Sequence, residues 1–281
     1  IYLIFNLNFN DKIISNFNTY INTKIPLVLF KTGPEEFLSD NIRKNIENNC
    51  KILRCKYKYY NDEDCREFIE TYFENKVLKA YDSLIPTAYK ADLFRYCILY
   101  IKGGIYGDLT QIHIEYIDVN KNNIDMLLVK DNNVDNHYKF PNLSPEKDCI
   151  QINFIATIPN NNFLKYLIDN ITTDILNKKK GNNPLDITGP CAFGSYFKKF
   201  FNINTIKLNL NTYIGLDNKK YKINIPYKKC NDYICDINSN KKIIKIKMND
   251  HEKIIYNYNN IDKSPNKNHY DYQWRNNIIY L

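Results

Sequence analysis

No run of about eighteen apolar residues occurs in the 281 residues, so nothing in this chain is expected to span a membrane as a helix. Cys-x-x-Cys is absent. The eight cysteines, at positions 50, 55, 65, 97, 149, 191, 230 and 235, show no paired metal spacing, which argues against a structural zinc site. They are too sparse for a disulfide scaffold, and Cys97 and Cys191 lie in apolar segments where cysteine serves as a small hydrophobe. Reduced thiols are the expectation. There is no internal repeat and no flexible linker, which points away from solenoids and strung modules and towards one large α/β domain. An initiating Met is lacking and residues 1–5 are apolar, as in a processed chain whose start carried a signal or anchor.

What is present is ordinary for a globular protein. Hydrophobic residues make up 44% and charged residues 25%, which sets aside disordered, collagen-like and coiled-coil chains. Asn, Ile, Lys and Tyr are over-used, as in a genome rich in A and T, and Asn and Lys account for the mean hydropathy of −0.51. The net charge of +8 favours an anionic ligand or surface. The runs Lys178–Lys180 and Lys241–Lys242 read as solvated faces, not as tracks for nucleic acid.

Residues 1–24 read as an N-terminal extension and 25–281 as a single domain. Ile25 to Phe30 is a buried strand closed by Gly33-Pro34. Glu35 to Asn49 carries a helical stripe, and Lys51 to Tyr59 alternates as a second strand, which together suggest a βαβ unit. Asp62 to Tyr81 reads as one helix. A further helix starts at Pro86 and ends at Gly103-Gly104, with a strand following at Ile105. Strands are expected at Met126–Lys130 and Cys149–Ile158, and helices over Asn161–Leu176 and Thr188–Phe200. After residue 200 the short runs separated by Asn and Asp read as an irregular C-terminal third.

The informative stretch runs from Tyr89 to Asp108. Asp92 and Arg95 are three apart and share a helix face. The glycine pair turns the chain sharply into a strand ending at Asp108, at the end of a sheet where open α/β folds take ligands. On composition alone, a surface ion pair of little worth is the simpler account of Asp92 and Arg95.

Ala91-Asp92-Leu93-Phe94-Arg95 followed by Gly103-Gly104-Ile105-Tyr106-Gly107-Asp108 resembles the signature of the DXD-containing sugar transferases of glycosyltransferase family 32. Ile25–Thr32, Asn153–Pro159, Thr188-Gly189-Pro190 and the pair His269 and Trp274 resemble other blocks of that family, in the same order. The resemblance implies a GT-A fold, an α/β architecture with a mixed, mainly parallel sheet flanked by helices. It also implies a retaining transfer of a hexose from a UDP- or GDP-sugar to a hydroxyl of a glycan or protein acceptor. Asp92, Arg95 and Asp108 would be catalytic. Phe30, Lys31, Thr32, Tyr106, Gly189 and Trp274 would line the donor site, and Asp108, His269 and Asp271 would hold Mn²⁺ or Mg²⁺. One departure stands out: Thr110 occupies the second acidic position of the motif, where a divalent metal prefers a carboxylate. Two other readings stay open, a degenerate module that binds a nucleotide-sugar or glycan without turnover and a basic nucleic-acid-binding protein. The chain is expected to be a soluble domain, cytoplasmic or membrane-associated, with a secretory lumen open if an anchor was removed.

Overall fold

The computed structural model describes residues 24–131, 148–248 and 269–281. Residues 1–23 of the N-terminal extension lie outside the described residues. Within them the chain forms a mixed sheet with helices on its faces, as expected of the α/β class.

The first half reads in chain order as β1 (Val28–Thr32), α1 (Asp40–Leu53), β2 (Lys56–Tyr60), α2 (Asp62–Tyr72), α3 (Asn75–Ser83), α4 (Thr87–Lys102), β3 (Gly104–Gly107), β4 (Ile112–His113) and β5 (Met126–Lys130). Then follow β6 (Ile150–Thr157), α5 (Asn162–Leu176), α6 (Pro190–Phe200), β7 (Asn209–Ile214), β8 (Lys220–Cys230), β9 (Tyr233–Asp236), β10 (Lys242–Lys245) and α7 (Tyr270–Arg275). The sheet order is β2-β1-β3-β6-β5-β8-β9-β10-β4, with β7 pairing on β8. All eight residues of β6 are buried at its centre.

Local sequence explains the boundaries. Ser39 caps α1 by accepting from the Ile42 amide, and Asn61 and Asp64 form a reciprocal capping box on α2. The second strand begins later than its alternation suggests. Leu53 continues the buried helical series Ile42, Ile46 and Asn49, so residues 51–53 belong to α1, and Arg54 in a left-handed conformation (φ 53°) ends it. The helix expected over 62–81 is two helices, separated where Phe73 and Glu74 are extended.

Two expectations are corrected. Parallel pairing does not predominate: β1 pairs parallel with β2 and β3, and β5 with β8, whereas the other pairs are antiparallel. Among the described residues the C-terminal third is also not irregular, because β7 to β10 build antiparallel hairpins. The Asn residues that seemed to interrupt the pattern supply the turns: Asn218, Asn231 and Asn240 take positive φ, which Asn tolerates better than most residues.

The thiol expectation is corrected in part. Cys149 and Cys191 are bonded, with Cα atoms 4.3 Å apart, because the start of β6 packs against the first turn of α6. Cys230 and Cys235 are bonded across the β8–β9 hairpin. Cys97 is a free thiol in the apolar core, as read from its segment. No helix among the described residues is long and apolar enough to cross a membrane.

The sheet separates two unlike layers. On one side α2 to α6 enclose the main core, rich in rings such as Phe94, Phe163, Phe193 and Phe197. On the other side α1 covers a smaller apolar cluster around Leu29, Ile105, Leu127 and Phe154. Beside that cluster lie the buried polar residues Lys31, Asn49, Gln111 and His113. The turn after β3 stands at the boundary.

Candidate active site at the glycine corner

Gly103 and Gly104 make the corner between α4 and β3, with φ of 62° and 96°. A side chain on Gly103 would place its Cβ 2.6 Å from the Pro159 nitrogen, and one on Gly104 would meet the Val28 carbonyl oxygen at 2.9 Å. Backbone conformation and close packing therefore both demand glycine. The corner returns the chain beneath α4, and the end of β3 reaches the helix face that carries Asp92 and Arg95.

The three polar groups converge on the guanidinium. Arg95 Nη2 lies 3.0 Å from Asp92 Oδ1, and Arg95 Nη1 lies 3.4 Å from Asp108 Oδ1. Nη1 also donates to the Ile152 carbonyl oxygen at 2.6 Å, and the guanidinium sits 4.6 Å above the Tyr106 ring. The Asp92 and Arg95 side chains are 12% and 7% exposed, whereas that of Asp108 is 41% exposed. The surface ion pair is therefore excluded, and Asp108 is the member of the trio that faces outward.

Burial sets the electrostatics. It pushes the Asp92 carboxyl up to about 6, although Arg95 and the Thr188 hydroxyl favour its ionised form. Burial alone would weaken the Arg95 charge, but Tyr106, Asp92 and Asp108 outweigh it and the guanidinium is held above its ordinary value. The Tyr106 hydroxyl is raised well out of range by burial.

Several supports around Asp92 and Asp108, Lys31 apart, were not singled out as site residues from the sequence. Thr188 Oγ1 donates to Asp92 Oδ2 at 2.9 Å, and the Thr188 carbonyl accepts from the Tyr96 hydroxyl at 2.7 Å. The Thr188-Gly189-Pro190 block pointed to this place, but its first residue makes the contact, while Gly189 is the N-cap of α6. The Asp108 amide donates to the Asn153 carbonyl at 3.0 Å, and the Asp108 carbonyl accepts from the Gln111 amide at 3.2 Å and from Lys31 Nζ at 2.6 Å. Asn45 and Asn49 both donate to the Gln111 carbonyl, which pins the turn from below. The alternation of β1 gives no hint that Lys31 is inside.

The residues read from β1 diverge. Phe30 is in the α4-side core near Tyr60. Lys31 points to the opposite face and is fully buried; burial lowers its ammonium to about 8, against the opposing pull of the Asp108 carboxylate. Thr32 ends the strand and, with Gly33, Pro34, Asp62, Lys90 and Ala91, lines a cavity of about 440 Å³ beside the first turns of α4. Asp92 is the next residue along the helix.

The C-terminal block docks on the same helix. Tyr270 packs on Tyr89 with ring centres 5.9 Å apart, and Asp92, Asp271 and Asp131 all raise its hydroxyl after burial has done most of it. His269 Nδ1 accepts from the Asp271 amide, and the Asp271 carboxylate is 3.0 Å from Arg275. Trp274 Nε1 donates to the Lys180 carbonyl at 2.8 Å. Thr110, at the second motif position, is buried. Among the described residues no group of three or more His, Cys, Asp or Glu is arranged to hold a metal ion. The donor set therefore does not by itself make a divalent-cation site.

Residues 34–141 match the family model of the glycosyltransferase sugar-binding region containing a DXD motif. The family resemblance read from the sequence is thereby borne out over a segment that contains Asp92, Arg95 and Asp108. An uncharacterised glycosyltransferase of Acanthamoeba polyphaga mimivirus is 37% identical over 78 residues, which is 27% of this chain and 31% of that protein. The initiation-specific alpha-1,6-mannosyltransferase of Candida albicans is 36% identical over 80 residues, 27% of this chain and 21% of that protein. The chain thus spans a third or less of the length of these curated relatives. Among solved structures, the PaToxG glycosyltransferase superposes with a TM-score of 0.46 at 15% identity, covering 62% of this chain and 68% of that one.

Proposed function

We propose that this chain is a glycosyltransferase of GT-A type that moves a hexose from a UDP- or GDP-sugar to a hydroxyl on a glycan or protein, with retention. The observation that carries the reading is the buried Asp92–Arg95 pair with the half-exposed Asp108 carboxylate against it, inside the family-matched segment.

In this reading the nucleotide occupies the cavity at the end of β1, with Thr32 along it, and the sugar lies over Asp108 and Arg95. Asp108 accepts hydrogen bonds from hydroxyls of the ribose or sugar. Asp92 and the Tyr106 face keep the planar guanidinium oriented, so that the ring is held as it becomes oxocarbenium-like. The bond from the anomeric carbon to the diphosphate oxygen breaks, the electron pair leaving with the diphosphate. The acceptor oxygen attacks from the same face, and its proton passes to a leaving diphosphate oxygen. The helix α7 block, with His269, Asp271 and Trp274, closes over the donor. By resemblance Mn²⁺ or Mg²⁺ would bind near Asp108, His269 and Asp271. As folded, Asp108 is engaged by Arg95 and Asp271 by Arg275, so both carboxylates already have cationic partners.

A thermal-shift panel of UDP, GDP and their sugars, with and without Mn²⁺ and Mg²⁺, tests the reading, since a ligand of the native state raises the melting temperature by mass action. A shift with one nucleotide family is expected. No shift with any member would overturn it. The incomplete acidic set around Thr110 favours a second reading, a module that binds the donor without turnover. A thermal shift accompanied by no donor hydrolysis would select that one.

A further inference from the structure

Helix α1 ends in a Schellman motif. The Cys55 amide donates to the Cys50 carbonyl at 3.1 Å, the Arg54 amide reaches the Lys51 carbonyl at 3.4 Å, and Arg54 is left-handed. This closure brings the side chains three residues before and two after the helix end into contact. In this chain both are cysteines, so the closure sets the two side chains beside each other on one groove. Both are free and half-buried. They line a shallow surface groove of about 350 Å³ with Glu47, Lys51, Arg54 and Lys56. The two remaining free thiols are unlike them, since Cys65 and Cys97 are buried in the core.

We propose that Cys50 and Cys55 are a dithiol modification site that closes to an intramolecular disulfide by exchange with a small anionic disulfide such as oxidised glutathione. The three basic side chains around the groove match the carboxylates of such a reagent. Cys50 is the attacking thiol: its hydrogen bond with Cys55 lowers its pKa, aided by the buried Lys31 ammonium, against burial, Glu47 and the negative end of the helix. Cys55 is raised by the same hydrogen bond and acts second.

The Cys50 thiolate attacks one sulfur of the reagent, forming a mixed disulfide and expelling a thiolate with the electron pair of the broken bond. That thiolate takes the Cys55 proton. The Cys55 thiolate then attacks Cys50 Sγ and expels the second reagent sulfur as a thiolate, which takes up from solvent the proton that Cys50 released on ionising. Two protein thiols are oxidised and one small disulfide is reduced to two thiols. The half-exposed thiols are open to the reagent, and the product fastens the end of α1 to the start of β2.

The test incubates the folded protein with oxidised glutathione, alkylates the remaining thiols and maps the peptides by mass. The expected product links Cys50 to Cys55 with loss of two hydrogens, leaving Cys65 and Cys97 alkylated. Oxidised glutathione should close the pair at least about threefold faster than cationic cystamine at low salt. Cys55→Ser should trap glutathione on Cys50. Both thiols remaining fully alkylatable would overturn the proposal, as would unresolved glutathione on the wild-type protein. A rate with cystamine equal to or above that with glutathione would overturn the anionic match.

Discussion

The glycine corner and the C-terminal helix are both short polar segments on the same face of α4, yet they are held in different ways. At the corner every polar group is tied to a distant part of the chain: Asp92 to Thr188, Arg95 to Ile152 and Asp108, and the Asp108 carbonyl to Lys31. In α7 the capping bonds run within the turn, with His269 Nδ1 accepting from the Asp271 amide and Asp271 pairing with Arg275, and docking involves Tyr270, Trp274 and the last residues of the chain. Cross-links from several segments fix position before any ligand arrives, whereas a self-capped helix can shift as a unit. Substitutions of the buried corner pair, Asp92 and Arg95, should therefore affect folding and activity together, whereas those of the outward-facing Asp108 and of α7 should act chiefly on activity.

The largest effect is expected from Arg95→Ala. It strands Asp92 in the interior and should cost about 3–5 kcal/mol of stability, read by denaturant melts, along with activity. A loss of activity without loss of stability would break the contrast.

Next comes the pH dependence of Asp92. Its carboxyl is raised in the fold, so between about 4 and 6 the native chain keeps a proton that the unfolded chain has released. The contribution is greatest below the unfolded pKa and is lost as pH rises through about 6, a difference of about 3 kcal/mol. The stability gap between wild type and Asp92→Asn, followed by melts across that window, should change by this amount in disfavour of the wild type as pH rises. A flat gap would contradict the burial argument.

A smaller effect, about 2 kcal/mol, is expected of Thr188→Val, which removes one hydrogen bond to the buried Asp92 carboxylate. Smallest in stability is Trp274→Phe, within about 1 kcal/mol because the lost bond to Lys180 is at the surface. Its donor turnover should still fall about tenfold if α7 closes on the donor, equivalent to about 1.4 kcal/mol. Equal losses of stability at Trp274 and Arg95 would erase the distinction.

Much of the corner was legible because its demands are local. Helical spacing placed Asp92 beside Arg95, and the glycine pair announced a turn that no other residue tolerates. The support around it was not legible, since Thr188, Ile152 and Lys31 arrive through pairing of segments that the sequence does not order. Lys31 is the clearest case: the family resemblance implied a donor-lining side chain, and nothing in the short strand announces that its ammonium is buried in the polar layer beneath the Asp108 turn. The C-terminal hairpins are hidden for the opposite reason, since the Asn residues that make their turns read in the sequence as breaks in structure. The disulfide of Cys149 with Cys191 spans 42 residues and depends on β6 meeting α6, which cysteine spacing alone does not reveal.

Asp108→Ala most directly tests the claim that this corner grips an activated sugar. Asp108 is the outward-facing member of the trio, so the variant should keep its melting temperature while hydrolysis of the UDP- or GDP-sugar falls by about a hundredfold or more. Turnover equal to that of the wild type in the folded variant would contradict the account.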